Sequence, residues 1–290
     1  MDKSKGFTEG YYARRYREVA ERVATATRKG NDAYIHVDVP GLEGILAFTT
    51  GGLTAIVGSL GVGKTILCDN IVARADVPTV YLPLQSTSLE SAHNRLCAAE
   101  AGLDYWKAVV SRRDIADRIA LAEASERLMD RRKVLVCFDD VMTSTLNDIL
   151  IDVIGESKEN PGTIDEAEEC LVVIDNIDML AADGSPLWQR IQFLKDVVKT
   201  KNTALVVVVP GDPDSPLLDL ANADEIYCIR RAHIALPEPL VFEKPTHEEA
   251  QEKARRLNIS HLKTSRYDGH RFGVEFEIDM PTRTVRGFVE

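Results

Sequence analysis

The chain has 290 residues, 44% hydrophobic and 28% charged, which suits one large α/β domain with a buried sheet plus a short appendage. Its net charge of −11 and pI near 5.1 argue against a nucleic-acid coat or a general membrane-surface binder, leaving only a local basic channel open. With no apolar run near the ~20 residues that span a bilayer, no signal-peptide core and five isolated cysteines, it reads as a cytoplasmic protein without zinc or disulfides.

In chain order, residues 9–29 predict an amphipathic helix closed by Gly30. Its apolar stripe (Tyr12, Tyr16, Val19, Val23) is narrow and is flanked by Arg14, Arg15, Arg17, Glu21 and Arg22. Such a stripe serves docking on a neighbour or packing on its own domain, and these residues alone do not choose. From residue 53 onward, β-rich runs alternate with helical stretches, the pattern of a parallel sheet with crossover helices. Strands are expected over 53–57, 79–84, 134–138, 171–174 and 204–209, and helices over 65–74, 88–101, 114–129, 144–154 and 186–199. The strands are continuous Val/Ile/Leu runs, as expected when both faces of a sheet are covered. Residues 156–169, acidic with a Pro-Gly step, read as a surface loop. Beyond residue 224 the pattern changes. Short strands around 225–229, 240–243, 259–263, 273–278 and 284–288 suggest antiparallel additions to one sheet edge, interrupted by a charged helix over 246–257.

The segment Gly58-Ser59-Leu60-Gly61-Val62-Gly63-Lys64-Thr65 matches GxxxxGK[ST] at every fixed position, directly after an apolar strand and directly before a helix. Glycines at 58, 61 and 63 let the backbone curl until successive N–H groups face phosphate oxygens, and the following helix adds its positive N-terminal end. Lys64 is expected to reach the β- and γ-phosphates of ATP, and the Thr65 hydroxyl to ligate Mg2+. The run Leu171-Val172-Val173-Ile174-Asp175 places an acid at the C-terminal end of a buried strand, the edge where open parallel sheets bind ligands. Asp175 is expected to hold the magnesium shell through water, with Asp139-Asp140 a lesser candidate for that role.

Gly51-Gly52-Leu53, the loop, Asp139-Asp140 with Thr143, and Val172-Val173-Ile174-Asp175 occur in an order that resembles the C-terminal ATPase domain of DnaB-type replicative helicases, within the RecA-like group. Near the C-terminus, Lys263-Thr264-Ser265-Arg266-Tyr267-Asp268-Gly269 is similar to the K-x-x-R-aromatic-x-G signature of phage-type ring helicases. The resemblance runs from about Asp38 to Val289 and implies a RecA-like core over 38–290 preceded by a linker-type segment over 1–37. It further implies a ring homo-oligomer, expected to be a hexamer, acting on single-stranded DNA with other replication proteins. In that arrangement the 9–29 helix docks on the adjacent subunit, and Lys263 and Arg266 reach the γ-phosphate bound by the neighbour. An arginine donated in this way suits the chemistry, because its permanently charged fork stabilises charge developing on the phosphoryl oxygens.

Three departures from the family pattern bear on function. Gln85 stands where the family has the glutamate that activates the attacking water; glutamine can orient a water but cannot take its proton. Glu90, further along, is a substitute candidate. Val209-Pro210-Gly211-Asp212 lacks the side-chain amide that senses the γ-phosphate in the family. The segments corresponding to the DNA-facing loops, 181–186 and 211–224, carry aspartates and no Lys or Arg, so no phosphate-gripping channel is visible. An ATP-driven helicase or translocase is therefore the leading expectation, and an ATP-dependent assembly, loader or regulatory protein with little hydrolysis is the alternative. The six histidines show no HxxxH or HExxH spacing, and Trp106 and Trp188 suit core or interface packing better than a stacking platform.

Overall fold

The computed structural model describes residues 34–85, 88–103, 114–136, 168–180, 184–198, 202–211, 220, 222–231, 256–263, 273–279 and 284–287. The expected helices over 9–29 and 144–154, the strand around 240–243, the loop over 156–167 and the Asp139-Asp140 pair lie outside the described residues.

A short antiparallel hairpin comes first, β1 (Tyr34–His36) and β2 (Ala47–Thr49). The main sheet then begins with β3 (Leu53–Gly58), followed by α1 (Lys64–Arg74), β4 (Thr79–Pro83), α2 (Leu89–Ala101), α3 (Ile115–Asp130) and β5 (Lys133–Leu135). Next come β6 (Cys170–Asp175), a 3-10 turn (Ile177–Leu180), α4 (Leu187–Val198), β7 (Thr203–Pro210) and β8 (Glu225–Arg231). The chain closes with β9 (Arg256–Lys263), β10 (Gly273–Asp279) and β11 (Thr284–Gly287). Among the described residues the sheet order is β11-β10-β9-β8-β3-β7-β6-β4-β5. The six strands from β8 to β5 are parallel, and β9, β10 and β11 extend the β8 edge antiparallel, as the sequence suggests.

Strand residues alternate between two buried layers because successive side chains leave a strand on opposite faces. Ile56, Tyr81, Leu171, Val173, Val206 and Val208 join one core with Leu67, Ile71 and Val72 of α1, Leu96 of α2 and Leu128 of α3. Ala55, Val57, Val80, Leu82, Val172, Ile174 and Val207 join the other with Ile191 and Leu194 of α4. Helices thus cover both faces, which is why these strands read as unbroken apolar runs. Burying each large aliphatic side chain contributes about 1.5–3 kcal/mol, so the central strands form the rigid part of the fold.

Two boundaries differ from expectation. Arg256 and Leu257, read as the end of a charged helix, open β9 instead. Cross-strand pairing of Leu257 with Arg231 on one side and Phe276 on the other overrides the helical character of the run before it. The β1–β2 hairpin was not expected, because its strands are only three residues long and show no alternation; Ile35 and Phe48 anchor it on the α1 side of the core.

Candidate nucleotide-binding site

The glycine-rich loop leaves the C-terminal end of β3 and enters α1 within residues 59–63. Ser59, Leu60 and Gly61 are exposed, whereas Val62 is buried beneath the loop. A Cβ on Gly58 would lie 2.9 Å from the Ile229 carbonyl oxygen and 2.9 Å from Val62 Cγ1. Gly63 caps α1 at φ 104°, and a Cβ there would lie 2.5 Å from Ile278 Cδ1 and 3.6 Å from Leu257 Cδ1. The loop thus rests on an apolar shelf from β9 and β10, which the sequence did not reveal.

Lys64 is buried, and its Nζ donates to the carbonyl oxygens of Gly58 at 2.6 Å and Ser59 at 2.8 Å. Burial lowers its pKa, opposed by the nearby Asp175 carboxylate. Asp175 ends β6, level with Pro83 of β4, and is 2% exposed. Burial raises its carboxyl above the usual range, and a hydrogen bond from the Thr65 hydroxyl opposes the shift. The structure therefore joins Lys64, Thr65 and Asp175 in one cluster at the carboxyl edge of the sheet. Thr65 and Asp175 offer the hard oxygens that magnesium accepts while retaining water and phosphate in its shell, so the residues present fit that ion.

Gln85 is exposed, two residues past the end of β4 and at the same edge of the sheet as Asp175. Glu90, also exposed, lines an open cavity of about 600 Å3 with Leu89, His93, Asn94 and Leu135. The Gly211 amide donates to the Gly58 carbonyl oxygen at 3.2 Å, which sets the end of β7 beside the loop without a side-chain amide. Asp224, one of the aspartates of the acidic segment, accepts from the Leu53 amide at 2.9 Å and from Lys195 Nζ at 2.6 Å, so its charge is used inside the fold.

Lys263 is the last residue of β9 and pairs with Ile226, which in turn pairs with Ala55 of β3. Because β9 runs antiparallel to β8, its end points away from the edge that carries this chain's own loop. Arg266 follows it and lies outside the described residues, as does Trp106.

Beneath the site lies a polar network with no counterpart among the expected residues. Asp69 of α1 is fully buried and accepts from Tyr81 Oη of β4 at 3.0 Å and from Arg95 Nε of α2 at 3.0 Å. Burial pulls the Arg95 guanidinium down, but Asp69 more than offsets this and the net shift is upward. Burial, then Asp69 and Asp175, push the Tyr81 hydroxyl well above its ordinary value. The three residues belong to three elements, so no local spacing announces them.

No protein-family model and no curated protein matches the sequence. Among solved structures, the ATPase domain of G40P matches with TM-score 0.63 and 15% identity over 83% of this chain and 86% of that one. A DnaB-like replicative helicase, described with its interactions with primase, matches with TM-score 0.62 and 15% identity over 83% of this chain. The chain spans 58% of that helicase's length. With its six parallel strands, its antiparallel edge and its helices on both faces, the chain has the fold of a DnaB-type, RecA-like ATPase domain.

Proposed function

We propose that this chain is an ATP-hydrolysing subunit of a DnaB-like ring that translocates on single-stranded DNA, its catalytic site completed between neighbours. The observation that carries the reading is the cluster of Lys64, Thr65 and Asp175 under a curled glycine loop. Backbone N–H groups of 59–63 and the α1 N-terminus cradle the phosphates, and Lys64 swings from its carbonyl partners to the β- and γ-phosphates. Thr65 and Asp175 would hold magnesium, which would neutralise charge on the phosphate oxygens. Gln85 orients the attacking water. Lys263 and Arg266 are supplied by the next subunit, a role supported by β9 ending away from its own loop. An arginine supplied in this way is worth about 10³–10⁵ in rate. The 9–29 segment, expected to be an amphipathic helix, docks on the adjacent subunit.

Mass photometry with and without ATP and single-stranded DNA, paired with phosphate release, tests this. ATP is expected to drive assembly and DNA to stimulate turnover. Lys64→Ala loses both, whereas Arg266→Ala binds ATP but does not turn it over. Turnover indifferent to every nucleic acid sinks the motor reading. A second reading, an ATP-dependent scaffold or loader, is favoured by Gln85 at the position of the water-activating acid. It expects ATP-driven assembly with phosphate release near background.

A further inference from the structure

We infer that Asp69 and its two partners form a positioning device for Gln85, an inference that rests on the ATPase reading above. Gln85 sits in the connection of residues 84–88 between β4 and α2. Both flanking elements are fastened to one carboxylate. On the strand side, Tyr81 donates to Asp69 Oδ1; on the helix side, Arg95 donates to Asp69 Oδ2, both at 3.0 Å. Asp69 belongs to α1, one helical turn beyond Thr65. Side chains in helices lean toward the N-terminal turn, so its carboxylate is tied to the part of α1 that bears Thr65.

The strand before Gln85 and the helix after it are therefore both tied to the helix that bears Lys64 and Thr65. The start of α2 is fixed in addition by the Ser88 side chain, which accepts from the Ser91 amide at 3.1 Å. Asp69 and Arg95 form a buried charge pair, and the Tyr81 hydroxyl adds a second directional contact. Packing alone would be served as well by apolar side chains of similar volume. What an apolar trio would lack is a fixed direction for each element relative to the others. A water-orienting amide needs that direction, because its action depends on sub-ångström placement against the γ-phosphate. Asp69, Tyr81 and Arg95 touch no reacting atom; they act through the connection they hold.

The test compares Tyr81→Phe, which removes one hydroxyl, and the double variant D69N/R95M, which removes the ion pair without leaving a buried charge. Leu128→Ala on α3, outside the network, serves as a control for loss of stability alone. For each, kcat, the Kd of a fluorescent non-hydrolysable ATP analogue with magnesium, and Tm are measured. Both network variants are expected to lower kcat by about tenfold while the analogue's Kd stays within about twofold, as for a misplaced reacting group. Leu128→Ala is expected to lower Tm at least as far with kcat unchanged. The inference is overturned if kcat follows Tm equally in all three variants, or if Kd rises in step with the fall in kcat. Absence of turnover in the wild-type chain overturns the ATPase reading and this inference with it. Wild-type turnover that survives intact in both network variants overturns this inference alone.

Discussion

The Thr65 hydroxyl donates to the Asp175 carboxylate across the gap between α1 and β6. Two residues 110 positions apart in sequence thereby present adjacent oxygens at the mouth of the loop. Thr65→Ala removes the hydroxyl, and Asp175→Asn removes the carboxylate's charge and replaces one of its oxygens. Both variants are expected to bind ATP with little benefit from added magnesium, a weakening of about tenfold or more relative to wild type in the presence of the ion. Isothermal titration with and without magnesium checks this; an unchanged magnesium dependence in Thr65→Ala would remove that hydroxyl from the metal site.

Gly63 adopts a left-handed backbone conformation that disfavours any side chain. Gly63→Ala places a Cβ against Ile278 and forces alanine into left-handed backbone, a combined cost of about 2–4 kcal/mol in urea unfolding. Adding Ile278→Ala relieves the contact but not the backbone conformation. Only partial recovery is expected, and full recovery would show that the backbone angle at residue 63 is not costly.

Gln85 supplies no base. If it is the main brake on chemistry, Gln85→Glu raises kcat by about 10²-fold, the usual worth of a general base. Steady-state phosphate release measures this, with the Kd for ATP expected to change little because the phosphate cradle is untouched. A silent Gln85→Glu variant would place a further limitation elsewhere, with the missing amide near Pro210 and Gly211 the next position to alter.

Lys133 donates to the carbonyl oxygens of Ala75 and Val77 at 2.6 and 2.8 Å and to Thr79 Oγ1 at 3.0 Å. Burial, reinforced by Arg131, brings its pKa down from 10.5 to about 8. The unfolded chain therefore binds more protons than the folded one between about pH 8 and 10.5, and this lysine's contribution to stability rises with pH across that window. Its full extent is on the order of 3 kcal/mol. Wild-type urea stability minus that of Lys133→Met is accordingly expected to become more positive from pH 7.5 to pH 10, and a constant difference would refute the shift.

The elements that the sequence disclosed are those whose signal is local. A continuous run such as Val206–Val209 has a single reading when both faces are covered, and the loop motif carries its own strand and helix context. The Thr65–Asp175 juxtaposition was foreseeable from the two motifs together. Pairings set by tertiary contact were not. Arg256 and Leu257 follow a helix-like charged run, yet β8 and β10 capture them as strand. Asp69 looks like an ordinary helix residue until Tyr81 and Arg95 converge on it. Ile278 looks like one more apolar strand position, and only the register of β10 brings it under Gly63.

The reversal at β9 carries one more implication if the shared-site reading holds. The edge that offers Lys263 and the edge that receives phosphate are different surfaces, so contacts between chains run head to tail, the kind that builds rings or filaments and not a two-fold dimer. Damage is then inherited by a neighbour. A Lys64→Ala chain keeps a sound tail and an Arg266→Ala chain keeps a sound loop. Each is inert by itself, yet in a mixture the sites that join an Arg266→Ala loop to a Lys64→Ala tail unite the two sound halves and regain turnover.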